Sequence, residues 1–293
     1  MKFHPECVSC TVNSALKKSI PVADQRLRSE YMAGVCNILK DIDPDYHSAP
    51  LMEAKVIAFR REFLHLEDDY SEENHRFNSL LLSVYDRLKA RVEAADDKLR
   101  AAMELSIAGK YIDFGVLREV EEDKLMEMLD QACAGGLSEI ECENLRAELE
   151  TAREIAVIHD NCGEIVLDKL LIETLKELYP SLHVLSVVRD NPVLNDATLE
   201  DAREVGLHHC AEVIRNGVPD VPGTQIDMLP DDVRARLEKA DLVIAKGQGN
   251  FETLMNCGLN VYYLLLAKCE YYQAWFGFER FSGVLANEKR FSR

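Results

Sequence analysis

The chain has 293 residues, of which 47% are hydrophobic and 29% charged, a composition typical of a globular protein with about two domains, or one large domain and an appendage. Its formal net charge of -18 disfavours nucleic acid and anionic membranes as partners. No apolar stretch of about 18 residues occurs and the N-terminus lacks the apolar core of a signal peptide, so we expect a cytoplasmic protein. Its nine cysteines are scattered, which favours reduced thiols over a disulfide framework.

The N-terminal half carries an almost wholly helical pattern. Apolar residues recur at helical spacing through 12–35, and again through 52–64 and 77–105, with charged residues between them. The alternation typical of strands is essentially absent. We therefore predict an all-α domain over residues 1–150.

Cys7 and Cys10 form a single Cys-x-x-Cys pair near the N-terminus. Its spacing suits a metal or a redox pair, but a zinc site normally needs four ligands and no second such pair follows. The pair also does not follow a strand, as it does in a thioredoxin-like motif. We interpret its role as structural or incidental.

The segment from Gly109 to Asp113 ends one of the predicted helices. A helix C-cap followed by a turn explains its glycine. Asp113, which stands among apolar residues, is either a local cap or a polar group directed at a site.

After Thr151 short apolar runs alternate with helical patterns. The predicted strands, of which the third is weaker, cover 155–158, 182–188, 211–214, 241–245 and 261–267. Strands that alternate with helices indicate a parallel sheet with right-handed crossovers. The predicted fold class is therefore α/β, with a Rossmann-like, mostly parallel sheet over 151–293 and helices on both of its faces.

Polar residues follow the predicted strands, and in a parallel sheet these strand ends meet at one edge. Asp160 and Asn161 follow the first strand, and Asn195 and Asp196 come after the second. Two aspartates and an asparagine offer the oxygen ligands of a Mg²⁺-like or Mn²⁺-like ion and leave positions for water and a phosphate oxygen. Asp160 and Asn161 could instead only cap the helix that follows them.

Lys246 ends the fourth strand on a glycine-flanked loop at a predicted helix start. Its ammonium is suited to meet a phosphate, while backbone N–H groups of residues 247–250 cradle it. A bound metal would polarise the phosphoryl group and lower the pKa of a bound water. These parts together predict metal-assisted hydrolysis of a phosphate ester.

Other nucleotide and hydrolase motifs are missing from the sequence. It has neither the Gly-x-x-x-x-Gly-Lys-Ser/Thr of a P-loop nor Gly-x-Gly-x-x-Gly after the first strand, and it lacks the Gly-x-Ser-x-Gly of serine hydrolases. Cys162 stands where haloacid-dehalogenase-like phosphatases carry a second aspartate. These absences disfavour nucleoside triphosphate and dinucleotide binding, serine-hydrolase chemistry and the haloacid-dehalogenase-like design.

At these residues the chain resembles the damage-control phosphatases, first catalogued as domain-of-unknown-function family eighty-nine. The resemblance covers nearly the whole chain, and it is greatest to the subgroup with an N-terminal cysteine pair. The matching pieces are Cys7-x-x-Cys10, Asp160-Asn161-x-Gly163-Glu164, Asn195-Asp196-Ala197-Thr198 with Asp201-Ala202, and Lys246-Gly247-Gln248-Gly249-Asn250-Phe251-Glu252.

The resemblance implies a helical region packed on a Rossmann-like domain, with a divalent-metal site for Mg²⁺, Mn²⁺, Co²⁺ or Ni²⁺ between them. Asp160, Asn161 and Asp196 correspond to the metal ligands, and Lys246 to the phosphate contact. Family substrates are phosphosugars and damaged phosphometabolites such as phosphopantetheine derivatives. Lys110 stands where a family Gly-Asn-x-Ile-Asp segment has asparagine.

We therefore predict a metal-dependent phosphatase that hydrolyses small phosphate monoesters. An S-adenosylmethionine-dependent carboxyl methyltransferase is an alternative, although the chain lacks a glycine-rich first turn, and a non-catalytic metal or sugar-phosphate binder is another. Glu164 and Asn195 are secondary candidates for orienting ligands or substrate. The predicted catalytic residues are Asp160, Asn161, Asp196 and Lys246, and the predicted substrate-binding residues are Lys246, Gly247, Gly249, Asn250, Asp113 and Glu252.

Overall fold

A computed structural model describes residues 3–43, 45–111, 122–132, 136–272, 277 and 279–290. Asp113, one of the predicted substrate-binding residues, lies outside the described residues. Within them no helix is both long and apolar enough to span a membrane.

Every regular element described before residue 150 is helical, as predicted. Asp24 caps the second helix by accepting a hydrogen bond from the Arg26 amide at 2.8 Å, and Pro50 lies in the first turn of the third helix, where no amide donor is needed. The α-helices are α1 (Pro5–Lys18), α2 (Gln25–Lys40), α3 (Ala49–Leu64), α4 (Ser71–Ser83), α5 (Tyr85–Ala94), α6 (Lys98–Ala108), α7 (Glu122–Ala132) and α8 (Glu139–Leu149).

The remainder alternates strand and helix, which confirms the predicted α/β fold class. The strands are β1 (Glu154–Ile158), β2 (His183–Val188), β3 (Glu212–Arg215), β4 (Leu242–Lys246), β5 (Val261–Leu266) and β6 (Gly283–Asn287). The helices among them are α9 (Glu164–Leu178), α10 (Leu199–Glu204), α11 (Asp231–Lys239) and α12 (Gly247–Leu254). The sheet order is β3-β2-β1-β4-β5-β6, with β1 to β5 all parallel.

The sequence patterns did not predict the sixth strand, β6. β6 pairs antiparallel with β5, so that Gly283 lies opposite Leu266 and Asn287 opposite Tyr262. It is a five-residue edge strand, and its sequence contains neither a long apolar run nor a full alternation. The strand conformation of β6 is stabilised by its hydrogen bonding to the edge of β5.

The central strands separate two hydrophobic clusters because successive side chains point to opposite faces of a sheet. Ile155 and Val157 of β1 pack in a cluster with residues of α4 to α9, whereas Ala156 and Ile158 pack on the other face with residues of α11 and α12. A third, smaller cluster joins α1, α2 and α3. Helices that precede the sheet in the sequence therefore contribute directly to its core.

Candidate active site

The strand order reverses between β1 and β4, the place where open α/β sheets bind ligands. Ile158 pairs with Ala245 at the ends of these strands, and Asp160 then lies against Gly247 at the start of α12. Gly247 has φ +78°, and a Cβ there would collide with the Asp160 carboxylate. Glycine is required because the backbone of α12 comes so close to this carboxylate.

The segment after β1 is also fastened to the segment after β2. The Ala197 amide donates to the Asp160 carbonyl at 2.7 Å, and the Asn161 side chain donates to Asn195 Oδ1 at 3.0 Å and Asp196 Oδ1 at 3.2 Å. Asp160 and Asp196 are 7% and 3% exposed. The structure thus brings together the three residues that were predicted as metal ligands.

Lys110 contacts the side-chain oxygens of two of these residues, Asp160 and Asn161. Its ammonium donates to Asp160 Oδ2 and, at 2.5 Å, to Asn161 Oδ1, and it lies 3.1 Å from Glu164 Oε2. Burial lowers the pKa of Lys110, an effect that Glu164 opposes and the neighbouring Lys268 and Lys246 reinforce. Three oxygens therefore converge on one positive atom.

Arg189, at the end of β2, was missed as a site residue. Its Nε donates to Asp196 Oδ2 at 2.6 Å, and one terminal nitrogen lies 3.7 Å from Asp160 Oδ1. The same guanidinium donates to Thr224 and Asn250, and it is only 1% exposed. A lone arginine after a strand gives no sequence signal of this kind, because Thr224 and Asn250 come from distant segments.

Lys246 is fully buried, and its ammonium is paired with carboxylates of the protein. Its ammonium contacts Glu164 Oε1, lies 2.9 Å from Asp168 Oδ1 and donates to the Ser106 carbonyl at 3.1 Å. Burial alone would lower the pKa of Lys246, but Asp168 and Glu164 raise it. Burial alone would likewise raise the pKa of Asp168, but Lys246 and His159 lower it to about 2.

Asp168 was another omission of the sequence analysis. It lies one helical turn after Glu164 on the same face of α9, where residues four apart are neighbours. This spacing was a usable signal for a second carboxylate near Lys246. The resulting ion pairs hold Glu164 at the inner side of the site.

Asn250 and Gly249, predicted to touch substrate, serve internal contacts in this structure. The Asn250 amide donates to the carbonyls of His159 and Lys246 at 3.0 and 2.8 Å, and its oxygen accepts from Thr224 and Arg189. A Cβ on Gly249 would collide with the Pro222 carbonyl. These two residues tie α12 to the neighbouring strand ends.

A cavity of about 360 Å³ opens from the strand ends toward the N-terminal helices. Glu252 lines the cavity, and its Oε1 accepts hydrogen bonds from the Tyr272 hydroxyl at 2.6 Å and the Gln248 amide at 2.8 Å. Burial raises the pKa of Glu252. Cys7 also lines the cavity, and burial raises the pKa of its thiol to about 11. The residues of α1 and α3 that line it, here called the helical wall, are Glu6, Cys7, Cys10, Thr11, Ser14, Ala49, Pro50 and Glu53.

The oxygens at the strand ends fit a divalent cation only if an amide takes part. Within the described parts of the chain, no three side chains from among His, Cys, Asp and Glu are placed to hold a metal ion. Asp160, Asn161 and Glu164 nevertheless direct oxygens at the single ammonium of Lys110. Glu164 Oε2 is buried and makes no hydrogen bond within the described residues. This donor set of carboxylate and amide oxygens suits a hard cation.

Comparison with known proteins identifies relatives along nearly the whole chain. The model of the "Damage-control phosphatase ARMT1-like domain" matches residues 3–282. A damage-control phosphatase of Archaeoglobus fulgidus is 34% identical over 278 residues, which cover 92% of this chain and 93% of that protein. A damage-control phosphatase of Pyrococcus horikoshii is 29% identical over 272 residues, which cover 92% of each chain.

The fold agrees with these matches. The crystal structure of a DUF89 family protein from Pyrococcus horikoshii has a TM-score of 0.85 and 26% sequence identity to this chain, and the alignment covers 98% of this chain and 99% of that one. The family resemblance of the sequence motifs is thereby confirmed. This chain belongs to the damage-control phosphatase family.

Proposed function

We propose that this member of the family is a divalent-metal-dependent phosphatase that hydrolyses phosphate monoesters of small metabolites. The observation that carries the proposal is the convergence of Asp160, Asn161 and Glu164 oxygens on one cationic position. It lies at the switch point of the sheet and beside the N-terminus of α12, and Asp160 and Asn161 line the cavity.

Asp160 and Asn161 would hold the ion, with Asp196 and Glu164 beside them. Mg²⁺, Mn²⁺, Co²⁺ and Ni²⁺ are the candidate cofactors. When bound, such an ion supplies Lewis-acid polarisation of a phosphoryl oxygen. Desolvation raises the pKa of Asp196, and Arg189, whose Nε donates to this carboxylate, opposes that rise. The protein thus supplies a prearranged set of oxygen ligands.

The start of α12 is suited to the phosphate. α12 begins at Gly247 directly after β4, and the first amides of a helix lack internal acceptors and carry the positive end of its dipole. The close approach of Gly247 to Asp160 places this helix end beside the ligand set. Because the Lys246 ammonium is already paired with Glu164 and Asp168, its direct contact with phosphate stays a prediction, and its pairs support a role in positioning Glu164.

The cavity suits the non-phosphate part of a small substrate. Its volume of about 360 Å³ is within the range of small-molecule sites. Glu6, Glu53 and Glu252 line it, and carboxylates accept hydrogen bonds from hydroxyl and amine groups. We therefore favour phosphosugars and comparable phosphometabolites, phosphopantetheine derivatives among them.

Phosphate release from p-nitrophenyl phosphate and a panel of phosphosugars tests the proposal. Chelator-treated protein is resupplied with Mg²⁺, Mn²⁺, Co²⁺ or Ni²⁺ in parallel with Asp160→Ala. We expect turnover that depends on the metal and that is about 10²- to 10³-fold lower in Asp160→Ala, the loss seen when one preorganised electrostatic group is removed from an active site. Asp190→Ala is the matched control, because Asp190 follows β2 as Asp160 follows β1 but lies outside the ligand set.

Two results would contradict the proposal. One is the absence of turnover with every metal and substrate from folded protein. The other is turnover that Asp160→Ala leaves at the level of Asp190→Ala.

A further inference from the structure

Lys110 reaches the ligand set because of the turn that carries it. Residues Gly109–Tyr111 form a single 3-10 turn directly after α6. Gly109 lies against α9, so that a Cβ there would be 3.1 Å from Leu167 Cδ1 and 3.3 Å from the Glu164 Cα. This close packing places the next residue, Lys110, directly over the first turn of α9 and its Glu164.

The two buried lysines of the site differ in what they bind. The Lys246 ammonium contacts Glu164, Asp168 and the Ser106 carbonyl. None of these is one of the three predicted metal ligands; Glu164 is only a secondary candidate. Lys110 instead donates to Asp160 and Asn161, two of the three predicted ligands. Its side chain is only 8% exposed, so the contact is an interior one that solvent does not screen.

A divalent ion and Lys110 require the same oxygens. Oxygen ligands bind such ions at about 2.0–2.6 Å, and Asp160 Oδ2 and Asn161 Oδ1 are already directed at the Lys110 ammonium. An ion bound by these two oxygens would stand within contact distance of a like charge in a buried position, where repulsion is strong. The two cations therefore exclude each other.

We propose that Lys110 is an internal competitor of the divalent cation, and that its ammonium sets the metal concentration at which the protein loads. This inference rests on the metal site of the proposed function. It assigns Lys110 a role in metal affinity rather than in contact with the reacting atoms.

Calorimetric titration of the chelator-treated, full-length protein with Mn²⁺ tests this role without any measurement of activity. Lys110→Met keeps the length of the side chain and removes its charge, and it should bind Mn²⁺ about 10- to 100-fold more tightly, the range over which residues that hold metal ligands tune affinity. Lys110→Arg keeps the charge and should bind no more tightly than the natural protein.

Lys268→Met is the matched control. Lys268 is exposed and contributes positive charge at Lys110, and no hydrogen bond or ion pair among the described residues joins it to Asp160 or Asn161. Its loss should change Mn²⁺ affinity by less than about threefold, as expected for a screened surface charge. Equal or weaker binding by Lys110→Met, relative to Lys268→Met, would overturn the proposal.

A crystal structure of the Mn²⁺-loaded natural protein gives a second measurement that does not depend on the folding of a variant. The Lys110 ammonium should lie beyond hydrogen-bond distance of Asp160 and Asn161 in that complex. Its retention of both contacts beside a bound ion would refute the competition. If Lys110→Met binds Mn²⁺ more tightly but no form hydrolyses phosphate esters, this inference stands and the proposed phosphatase activity fails.

Discussion

The two ends of the cavity are built differently. At the strand ends, buried carboxylates and amides are paired with cations, as in the contacts of Asp196 with Arg189 and of Asp160 with Lys110. The helical wall presents Glu6 and Glu53 together with two thiols. None of the described residues that line the cavity is a lysine or an arginine.

The difference suits the two ends of the cavity to separate tasks. A dense network of buried ion pairs holds side chains in one geometry, which suits residues that position a reacting group. A wall with acceptors and without cations is suited to select small molecules by hydrogen bonding and charge. We therefore expect substitutions at the strand ends to affect stability and turnover, and those in the wall to affect substrate preference.

Arg189→Met should have the largest effect, because it leaves Asp196 buried without its guanidinium partner. We expect the free energy of unfolding, measured by urea titration, to fall by about 3–5 kcal/mol. Arg215→Met removes an exposed arginine at the end of the adjacent strand, 3.5 Å from Glu200, and should cost less than about 1 kcal/mol. Equal losses would show that burial does not distinguish the two pairs.

Gly247→Ala should lower kcat by about 10- to 100-fold, because its Cβ collides with the Asp160 carboxylate and displaces it. Gly258→Ala is the matched control, since Gly258 has φ +85° and a Cβ there would meet no atom within 4 Å, so that only backbone strain is introduced. Steady-state kinetics and thermal unfolding of both variants separate the two effects. A similar loss of kcat in both would contradict a specific requirement at Gly247.

The acidic cavity should disfavour substrates with a second anionic group. We expect kcat/KM for a sugar bisphosphate to be about tenfold below that of the matching monophosphate, a difference of about 1.4 kcal/mol. Glu53→Gln should narrow this ratio, because Glu53 lines the cavity. Glu30→Gln, on the exposed surface of α2, should leave it unchanged. A preference for the bisphosphate would contradict the expectation that the acidic wall of the cavity disfavours a second anionic group.

Glu252→Gln should have the smallest effect. Burial raises the pKa of Glu252, so protonation stabilises the folded state; this stability is fully present below the ordinary pKa of glutamate and is lost as pH rises through the raised value. The amide keeps the oxygen that accepts from Tyr272 and Gln248. We expect its Tm to exceed that of the natural protein by about 2 °C at pH 8.

The Tm difference between Glu252→Gln and the natural protein should shrink toward pH 5. Glu238→Gln changes an exposed glutamate of α11 and should show no such trend. A constant Tm difference from pH 5 to pH 8 would rule out a shifted Glu252 as its cause.

The sequence by itself determined the fold class, five of the six strands and the family. Buried parallel strands carry continuous apolar runs such as Ile155 to Ile158, and polar residues that follow them must gather at one sheet edge. For this reason Asp160, Asn161 and Asp196 could be placed together from sequence. The division into domains at residue 150 stays a prediction, although α4 to α8 and the sheet share one hydrophobic cluster.

Only the tertiary structure decided how the charges pair. β6 is a strand because β5 offers it an edge, and Arg189 belongs to the site because Asp196, Thr224 and Asn250 surround its guanidinium. Lys246 and Lys110 each stand next to a glycine in the sequence, yet the first pairs with Glu164 and Asp168 and the second with Asp160 and Asn161. The pairs of Lys110 and Lys246 join segments far apart in the chain, so residue spacing does not indicate them; only the four-residue spacing of Glu164 and Asp168 could have suggested that these two carboxylates lie together.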